Sequence, residues 1–348
     1  MYKTRSLRAM TFPFRLVLPT PSLRAVNEQL PSVTILIAAR PDQAEIKAVT
    51  GSKLLDYPKE QLEIIVARGK QPSVQRNAGM REARGEVIYF LDDDSVPLPG
   101  NLREAVGHFG DAKVKMVGGP NLCPADAPAL EKIFAVVLAS ALAFGPSRAR
   151  YAAVGEVRDT SEKELILCNM MARRDAMLEL GGFDEKLYPN EENALMDELQ
   201  KRGGRLVYDP KLVVHRRPRH SIGAFARMLR TYGRGRAEQF RVNPTFGSVL
   251  NFVPPLFCVY LLATIAALFA APAIGKFLLI PLGLYALVVL AQAIASMRTA
   301  PATYALAAIP FVVLTHILYG YGFWRGLFTK LKAPGQTSVP VKLEKVGL

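Results

Sequence analysis

From Val242 to Trp324 the chain runs for 83 residues with only two charged side chains, Lys276 and Arg298. These cations leave three uncharged runs of 20, 21 and 26 residues, which are Phe252 to Ala271, Phe277 to Met297 and Thr299 to Trp324. A helix needs about 20 apolar residues to cross a bilayer. Soluble core helices rarely run this long without charge. The sequence therefore predicts two or three transmembrane helices within residues 246–324.

The chain before this stretch is strongly basic, and the whole protein carries a formal net charge of +14. Residues 1–30 form a basic extension that lacks the apolar run of a signal peptide. Residues 201–241 hold twelve Lys or Arg against two acidic residues. Positive charge beside a span is typical of its cytoplasmic end. We therefore expect a multi-pass protein of the cell (inner, cytoplasmic) membrane with residues 1–241 in the cytoplasm, where its three cysteines stay reduced.

The basic tail, residues 325–348, complicates the count of spans. Three full crossings would place this tail on the far side of the membrane, against the same charge rule. One run can instead lie in the interface or re-enter, and we expect the first, which contains Pro254 and Pro255, to do so. The apolar run Ile133 to Phe144 is too short to span, and it fits either a core helix or a helix on the membrane surface.

Residues 31–219 alternate between strand-like and helix-like segments. Continuous apolar runs at Val33 to Ala38, Leu62 to Val66 and Val87 to Leu91 predict strands, and the segments at 42–55 and 73–83 predict helices. This alternation is typical of an α/β fold with a parallel sheet, whose ligands bind at the carboxyl ends of the strands.

Three adjacent aspartates end the third predicted strand. Asp92, Asp93 and Asp94 follow the apolar run directly. Three carboxylates so close repel one another unless a cation or hydrogen-bond donors offset their charge. Oxygen ligands suit Mg²⁺ or Mn²⁺, which share their remaining sites with phosphate oxygens. The alternative is a helix cap, but a cap needs one such residue. The motif favours a metal and diphosphate site.

A second acidic pair, Glu191 and Glu192, begins a predicted helix that ends at the glycine stop at Gly203. Acidic residues are ordinary in the first turn of a helix, because they interact favourably with its dipole. The pair alone is therefore weak evidence for a catalytic role.

Taken in order, five segments of residues 31–219 resemble the catalytic domain of family 2 glycosyltransferases, which have the GT-A fold, a Rossmann-like nucleotide-sugar-binding domain. The segments are PSVTILIAAR, LDYPKEQLEIIVARG, QRNAGMREARGEVIYFLDDD, NMMARRDAMLELGGFDE and NEENALMDELQKRGGRLVYDPKLVVHR. The resemblance implies a basic amphipathic helix at 220–245 and membrane helices after it, as in members that build exopolysaccharide or lipid-linked glycan.

The resemblance also implies a donor site. Asp94 falls on the metal ligand and Asp92 on the residue that faces the nucleotide sugar and the metal, with Asp93 beside them. His215 matches a position near the metal or diphosphate, although a strand-end histidine is as good an interpretation. Asp42 falls on the acidic residue of the first nucleotide loop. The expected cofactor is Mg²⁺ or Mn²⁺, and a UDP-sugar is the default donor.

For catalysis the resemblance implies inversion at the anomeric carbon, with one carboxylate as general base. Glu192 falls on the second member of the family's Glu-Asp pair, which acts as the base, and Glu191 is the alternative. One base near the acceptor suffices for a single displacement, unlike the two flanking carboxylates of a hydrolase.

Two departures from the family pattern concern arginines. The second strand is followed by Ala67, Arg68 and Gly69 instead of an acidic loop that contacts the nucleobase, so base recognition must differ. Arg68 and Arg76 are expected among the nucleotide-sugar contacts. The segment RTYGRGRAEQF stands where processive synthases carry QxxRW, and its Arg234 and Arg236 fit either a diphosphate clamp or lipid headgroups.

The expected function is single-sugar transfer to a lipid-linked or hydrophobic acceptor in cell-surface glycan or exopolysaccharide synthesis, at the surface of the lipid bilayer. The alternatives are a processive polysaccharide synthase and a catalytically degenerate membrane protein of the same fold. A nucleic-acid partner is not expected, because the basic segment lacks an RNA-binding motif.

Overall fold

The computed structural model describes residues 30–185, 191–242, 244, 246–330 and 340–348. The chain divides into two compact units, Met1–Leu30 and Pro31–Leu348. The predicted basic extension at residues 1–30 therefore lies, apart from Leu30, outside the described residues. The sheets and helices of the fold belong to the second unit, Pro31–Leu348.

The three apolar runs predicted as strands lie side by side in the main sheet. They are buried along nearly their whole length, since helices and loops cover both faces. Within the described residues the strands are β1 (Val33–Ala39), β2 (Leu62–Arg68), β3 (Val87–Asp92), β4 (Val96–Pro97), β5 (Val114–Gly118), β6 (Asn121–Leu122), β7 (Arg158–Asp159), β8 (Asn169–Arg173), β9 (Arg205–Tyr208), β10 (Val214–His215) and β11 (Lys342–Val346).

The main sheet is mixed, and the expectation of a wholly parallel sheet is wrong. Its order is β11-β2-β1-β3-β8-β5-β9-β7, and a small second sheet has the order β4-β10-β6. Strand β1 pairs in parallel with β2 and β3, as the alternation predicts. Strand β8 is antiparallel to β3 and β5, and β11 is antiparallel to β2. The alternation of strands and helices covers only the first three strands, so it carried no information on these later pairings.

The helix predicted at 42–55 is present over the shorter range Lys47–Lys53, and the helix predicted at 73–83 is present at Pro72–Glu82. The helices of the described residues are α1 (Lys47–Lys53), α2 (Pro72–Glu82), α3 (Asn101–His108), α4 (Ala129–Leu138), α5 (Ala141–Phe144), α6 (Arg174–Glu179), α7 (Glu191–Lys201), α8 (Ile222–Val242), α9 (Val253–Ala270), α10 (Pro272–Ser296), α11 (Ala302–Ala307) and α12 (Ile309–Phe328), with 3₁₀ turns at Lys59–Gln61, Gly145–Arg150 and Phe246–Phe252.

Three of the described helical segments are long and apolar enough to cross a membrane, Val249–Ala270, Pro272–Ser296 and Ala302–Phe328. Helices α9 and α10 expose large apolar side chains, and Phe269 and Phe277 are 85% and 69% exposed. Such a surface is costly in water and favourable in lipid. The C-terminal third therefore has the helical, membrane-compatible architecture that the sequence predicts.

The run Ile133 to Phe144 falls in two helical segments, Ala129–Leu138 and Ala141–Arg150, which meet at an angle of 60° and together are long and apolar enough for one broken span or a re-entrant loop. Ser140 separates them and caps α5, since its hydroxyl accepts a hydrogen bond from the Ala143 amide at 3.2 Å. Phe134 of α4 is fully buried and stacks on Phe225 of α8 with ring centroids 4.2 Å apart. The buried side of α4 packs with α8, α10 and α12 in one apolar cluster, so α4 has the packing of a core helix.

Candidate functional site

A cavity of about 1730 Å³ lies at the carboxyl ends of β1 and β3, where an open α/β sheet binds its ligands. One wall comes from the sheet and its loops, and the opposite wall from α8 and α12. The lining residues used below are Asp42, Gln43, Arg76, Asp92, Asp93, Asp94, Arg150, Tyr151, Glu191, Glu192, Arg216, Tyr232, Arg236, Thr315, His316 and Tyr319. The cavity thus brings together both acidic clusters of the sequence.

Two arginines hold the first acidic cluster. Arg76 Nη2 donates to Asp92 Oδ1 at 2.9 Å. Arg216 Nη1 lies 3.1 Å from Asp92 Oδ2, and Arg216 Nε donates to Asp94 Oδ1 at 2.6 Å. Burial alone raises the pKa of Asp92, but the charges of Arg216 and Arg76 outweigh burial and hold that pKa below its usual range. Asp92 is therefore an anion at neutral pH.

Asp93 lies in a different environment from Asp92. Burial raises its pKa, although a hydrogen bond from Gln43 lowers it, and the negative charges of Asp94 and Asp92 add to the increase. The repulsion inferred from three adjacent aspartates is thus present. It is relieved by Arg216 on one side and by the Gln43 loop on the other.

The second acidic cluster begins α7 and faces the first through Arg76. Glu191 is 3% exposed, and its Oε1 lies 3.6 Å from Arg76 Nη1. Burial and the charge of Glu192 raise the pKa of Glu191 to about 8, because Arg76 only partly offsets them. Arg76 also pairs with Asp92. The Glu191 carboxyl is therefore largely protonated at neutral pH, although its contact with Arg76 has the geometry of an ion pair. A Glu191 carboxyl that keeps its proton cannot accept another.

The wall opposite the aspartates carries a second pair of arginines. Arg236 Nη1 donates to Gln239 Oε1 at 3.0 Å, and Arg150 Nη2 donates to Asn193 Oδ1 at 2.9 Å. Burial lowers the pKa of Arg236, and the charge of Arg150 adds to the decrease. Arg236 also lies 3.8 Å from Glu162, which only partly offsets the positive charge of this pair, so this wall favours an anionic ligand. Tyr151 and Tyr232 close this side, with their hydroxyl oxygens 3.3 Å apart.

Three of the predicted site residues do not line this cavity. Arg234 turns away, because it lies 3.3 Å from Glu238 one helical turn further along α8. His215 lies in β10, between β4 and β6, and its Nδ1 is buried without a hydrogen-bond partner among the described residues. Arg68 lines a separate, smaller cavity. Asp42, Arg76, the three aspartates, Glu191, Glu192 and Arg236 all line the main cavity.

Two arginines of the site were missed from the sequence. Arg216 follows His215 in a run of basic residues, and only the pairing of β10 with β4 shows that it reaches the aspartates. Arg150 ends the 3₁₀ turn after α5, at a position with no recognisable motif. A basic residue at a strand end near a predicted diphosphate site was the available signal for Arg216.

The residues at Asp92 fit a divalent cation that is shared with a ligand. No group of three or more His, Cys, Asp or Glu side chains in the described part of the chain is arranged to hold a metal ion by itself. Asp92 and Asp94 are neighbouring oxygen donors in the cavity, and the guanidinium of Arg216 holds the position between them in this structure. Mg²⁺ is usually held by one or two carboxylates together with phosphate oxygens.

The mixed α/β sheet, with an aspartate cluster and a helix-start glutamate pair in one cavity at the carboxyl ends of its strands, is a GT-A-like arrangement. The model of the family described as "Glycosyltransferase like family 2" matches residues 22–234. The chain therefore belongs to family 2 of the glycosyltransferases.

Two known proteins show how far the likeness extends. The pre-mycofactocin glycosyltransferase of Mycobacterium tuberculosis is 32% identical over 158 residues, which are 42% of this chain and 30% of that protein. The chain thus matches less than a third of this curated relative's length. The mannosyltransferase PcManGT of Pyrobaculum calidifontis, solved with GDP-Man and Mn²⁺, has 17% identity and a TM-score of 0.50 over 86% of this chain and 88% of its own. At this identity the second likeness concerns the fold.

Proposed function

We propose that the protein transfers one sugar, with inversion, from a nucleoside-diphosphate sugar to a membrane-associated acceptor, and that the transfer depends on Mg²⁺ or Mn²⁺. The observation that carries the proposal is Arg76, which lies between Asp92 and Glu191 in one cavity. In this proposal Asp92 marks the diphosphate side of the donor and Glu191 the base side of the acceptor, and one side chain contacts both. The retained acidic clusters argue against a degenerate protein.

On the donor side, Asp92 and Asp94 would hold the divalent cation, which when bound offsets charge on the leaving diphosphate. Arg216 and Arg76 contact these carboxylates and carry positive charge into the same space. We assign them to orientation of the aspartates and to binding of diphosphate oxygens. Asp42 and Gln43 line the same end of the cavity, where the nucleotide loop is expected.

On the acceptor side, Glu192 is the general base. An acceptor hydroxyl gives its proton to Glu192 while its oxygen forms a bond to the anomeric carbon. The bond from that carbon to the diphosphate oxygen breaks, and the electron pair leaves with the nucleoside diphosphate. One displacement inverts the configuration. Glu191, whose pKa is raised above the ordinary carboxyl range by burial and by Glu192, keeps its proton and positions Arg76.

A lipid-linked acceptor fits the composition of the far wall. Leu250, Val253 and Pro254 line the cavity beside Thr315 and His316 of α12, so apolar helix surface continues into the site. Arg150 and Arg236 lie at the same wall and suit a phosphate group. An acceptor with an anionic head and a hydrocarbon chain would satisfy both features.

The sheet constrains how the chain crosses a membrane. Strand β11, which follows α12, pairs with β2 of the catalytic domain, so both lie on one side of any bilayer. The number of crossings between β10 and β11 must therefore be even. Because three described helices are long enough to cross, we propose that two of them span and that the third does not.

We propose that α12 is the helix that does not cross, because it packs closely against α8. A Cβ added at Gly322 of α12 would lie 2.2 Å from the Arg230 carbonyl oxygen of α8, and one at Gly233 of α8 would lie 2.0 Å from the Tyr319 carbonyl oxygen. The two helices thus touch backbone to backbone. Helix α8 carries five arginines, which are costly in hydrocarbon. In this proposal α12 lies with α8 in the membrane interface, and α9 and α10 cross the membrane as a hairpin. The sequence had instead favoured the first apolar run, Phe252 to Ala271, as the segment that does not cross.

The proposed function is tested by transfer assays on the full chain in nanodiscs. UDP-, GDP- and TDP-sugars are offered with a polyprenyl-phosphate-linked acceptor or a soluble sugar, and release of nucleoside diphosphate is measured. Glu192→Gln should lower kcat by about 10²- to 10⁴-fold without weakening donor binding. Glu198→Gln, on the exposed face of α7, is the matched control and should leave kcat unchanged.

Full turnover by Glu192→Gln would exclude Glu192 as the base. Equal activity on soluble and lipid-linked acceptors would exclude a lipid-linked acceptor as the specific substrate. Products longer than one added sugar would favour a processive synthase.

A further inference from the structure

The C-terminal strand β11 completes the edge of the main sheet beside β2. Its register pairs Lys342 with Arg68 and Val346 with Ile64, so β11 begins where β2 ends. The carboxyl end of β2 borders the main cavity, which Gly69 and Lys70 line. Residues from the very end of the described chain are therefore placed at this end of the ligand site.

Arg68 connects this strand to the first nucleotide loop. Its Nε donates to Glu344 Oε2 at 2.9 Å, and its Nη1 donates to the carbonyl oxygens of Gln43 at 2.8 Å and Arg40 at 3.3 Å. Lys342 Nζ lies 3.0 Å from the other oxygen of Glu344. Glu344 of β11 thus positions Arg68, and Arg68 holds the loop at residues 40–43 through two backbone carbonyl groups.

These residues surround a cavity of about 330 Å³ next to the main one. It is lined by Pro41, Asp42, Gln43, Ala44, Arg68, Pro340, Lys342 and Glu344. The first three also line the main cavity, so the two spaces adjoin. In the sheet, β2 lies two strands from β3, a distance of about 10 Å at the usual strand spacing. The small cavity therefore lies two strands away from the diphosphate position proposed at Asp92. In that proposal this is the side on which the nucleoside lies.

We infer that β11 forms part of the nucleobase subsite, and that Glu344, acting through Arg68, helps to determine which base the donor carries. The inference rests on the proposed donor site around Asp92. The lining offers carboxylate acceptors in Asp42 and Glu344 and charged donors in Arg68 and Lys342, which suits the mixed edge of a base. The loop after β2 carries no acidic residue, and Glu344 supplies a carboxylate there from another part of the chain.

The experiment compares binding of three probes, UDP, GDP and inorganic pyrophosphate, each with Mn²⁺, to the full chain in nanodiscs. Glu344→Ala should weaken the preferred nucleoside diphosphate by about tenfold and change the UDP-to-GDP preference, because an ion-paired contact is lost. Pyrophosphate affinity should stay within about twofold. Lys345→Ala is the matched control. Lys345 lies on the same strand as Glu344 but does not line the cavity, and its replacement removes the 2.8 Å ion pair with Glu63 of β2.

Four outcomes would overturn the inference. Unchanged nucleotide binding by Glu344→Ala would remove any role for the strand in base recognition. An equal loss of pyrophosphate binding, or the same loss in Lys345→Ala, would assign the effect to general support of the loop. A wild-type protein that binds pyrophosphate but neither nucleotide would contradict the nucleobase subsite alone. One that binds none of the three probes would contradict the proposed function as well.

Discussion

Arg76 Nη1 lies 3.6 Å from Glu191 Oε1, within a cavity whose other acidic cluster is held by the same guanidinium. The side chain of Arg76 is only 8% exposed. Arg76 is thus a buried cation that contacts the Asp92 carboxylate and the protonated carboxyl of Glu191, and it links the two acidic clusters. The geometry of the whole site therefore depends on one residue of α2.

Replacing Arg76 with Met should destabilise the protein strongly. The change leaves the Asp92 carboxylate with one cationic partner instead of two. Loss of a buried hydrogen bond to a charged group costs about 1.5–3 kcal/mol, while Arg216 still offsets the remaining charge of Asp92. The measurement is the thermal unfolding of the full chain in nanodiscs.

Arg103→Met is the matched control for this change. Arg103 pairs with Asp56 at 2.9 Å, but both side chains are at least half exposed. An exposed pair is worth about 0–1 kcal/mol. Equal destabilisation by the two variants would show that Arg76 has no special part in holding the acidic clusters.

Glu191 should make the stability of the protein depend on pH. Burial and the charge of Glu192 raise its folded-state pKa from 4.5 to about 8, so the folded protein retains a proton that the unfolded chain releases. Stability from this group is full below the unfolded value and is lost as pH rises through the folded pKa. The melting temperature of Glu191→Gln should therefore fall less than that of the wild type between about pH 5 and 8.

Glu198→Gln controls for loss of any carboxylate from α7, and its melting curve should follow the wild type at every pH. If Glu191→Gln and the wild type lose stability in parallel over this range, Glu191 is not the titrating group.

The proposed crossing pattern predicts which loops face outward. In a variant whose three cysteines are replaced, Ala271→Cys lies in the turn between α9 and α10, and Thr299→Cys lies between α10 and α11. A membrane-impermeant maleimide added to intact spheroplasts should label Ala271→Cys and should reach Thr299→Cys only after lysis. Labelling of Thr299→Cys from outside would contradict a two-span hairpin.

The sequence was enough to predict the three central strands of the main sheet, because runs of neighbouring apolar residues determine them. Strands β1, β2 and β3 are buried on both faces and therefore appear as continuous apolar runs. The aspartates at the end of β3 were identifiable for the same reason, since a charged cluster directly after such a run has few structural explanations. The family match follows from these segments.

The remainder of the site depends on pairings between distant parts of the chain. Arg216 reaches Asp94 only because β10 pairs with β4, and Glu344 reaches Arg68 only because β11 adds to β2. The sequence KLEKV has alternating charge and fits an exposed tail as well as an edge strand. Nothing local in the sequence distinguishes these two states.

The most direct test of the account is metal-dependent binding of a nucleoside diphosphate. The full chain in nanodiscs is titrated with UDP and with GDP, in Mn²⁺ or in EDTA, for the wild type, Asp94→Asn and the exposed control Asp56→Asn. We predict that at least one nucleotide binds, that EDTA weakens it, and that Asp94→Asn does so by at least about tenfold, since even outer-shell partners of a metal contribute that much. Binding that neither EDTA nor Asp94→Asn alters would contradict the account.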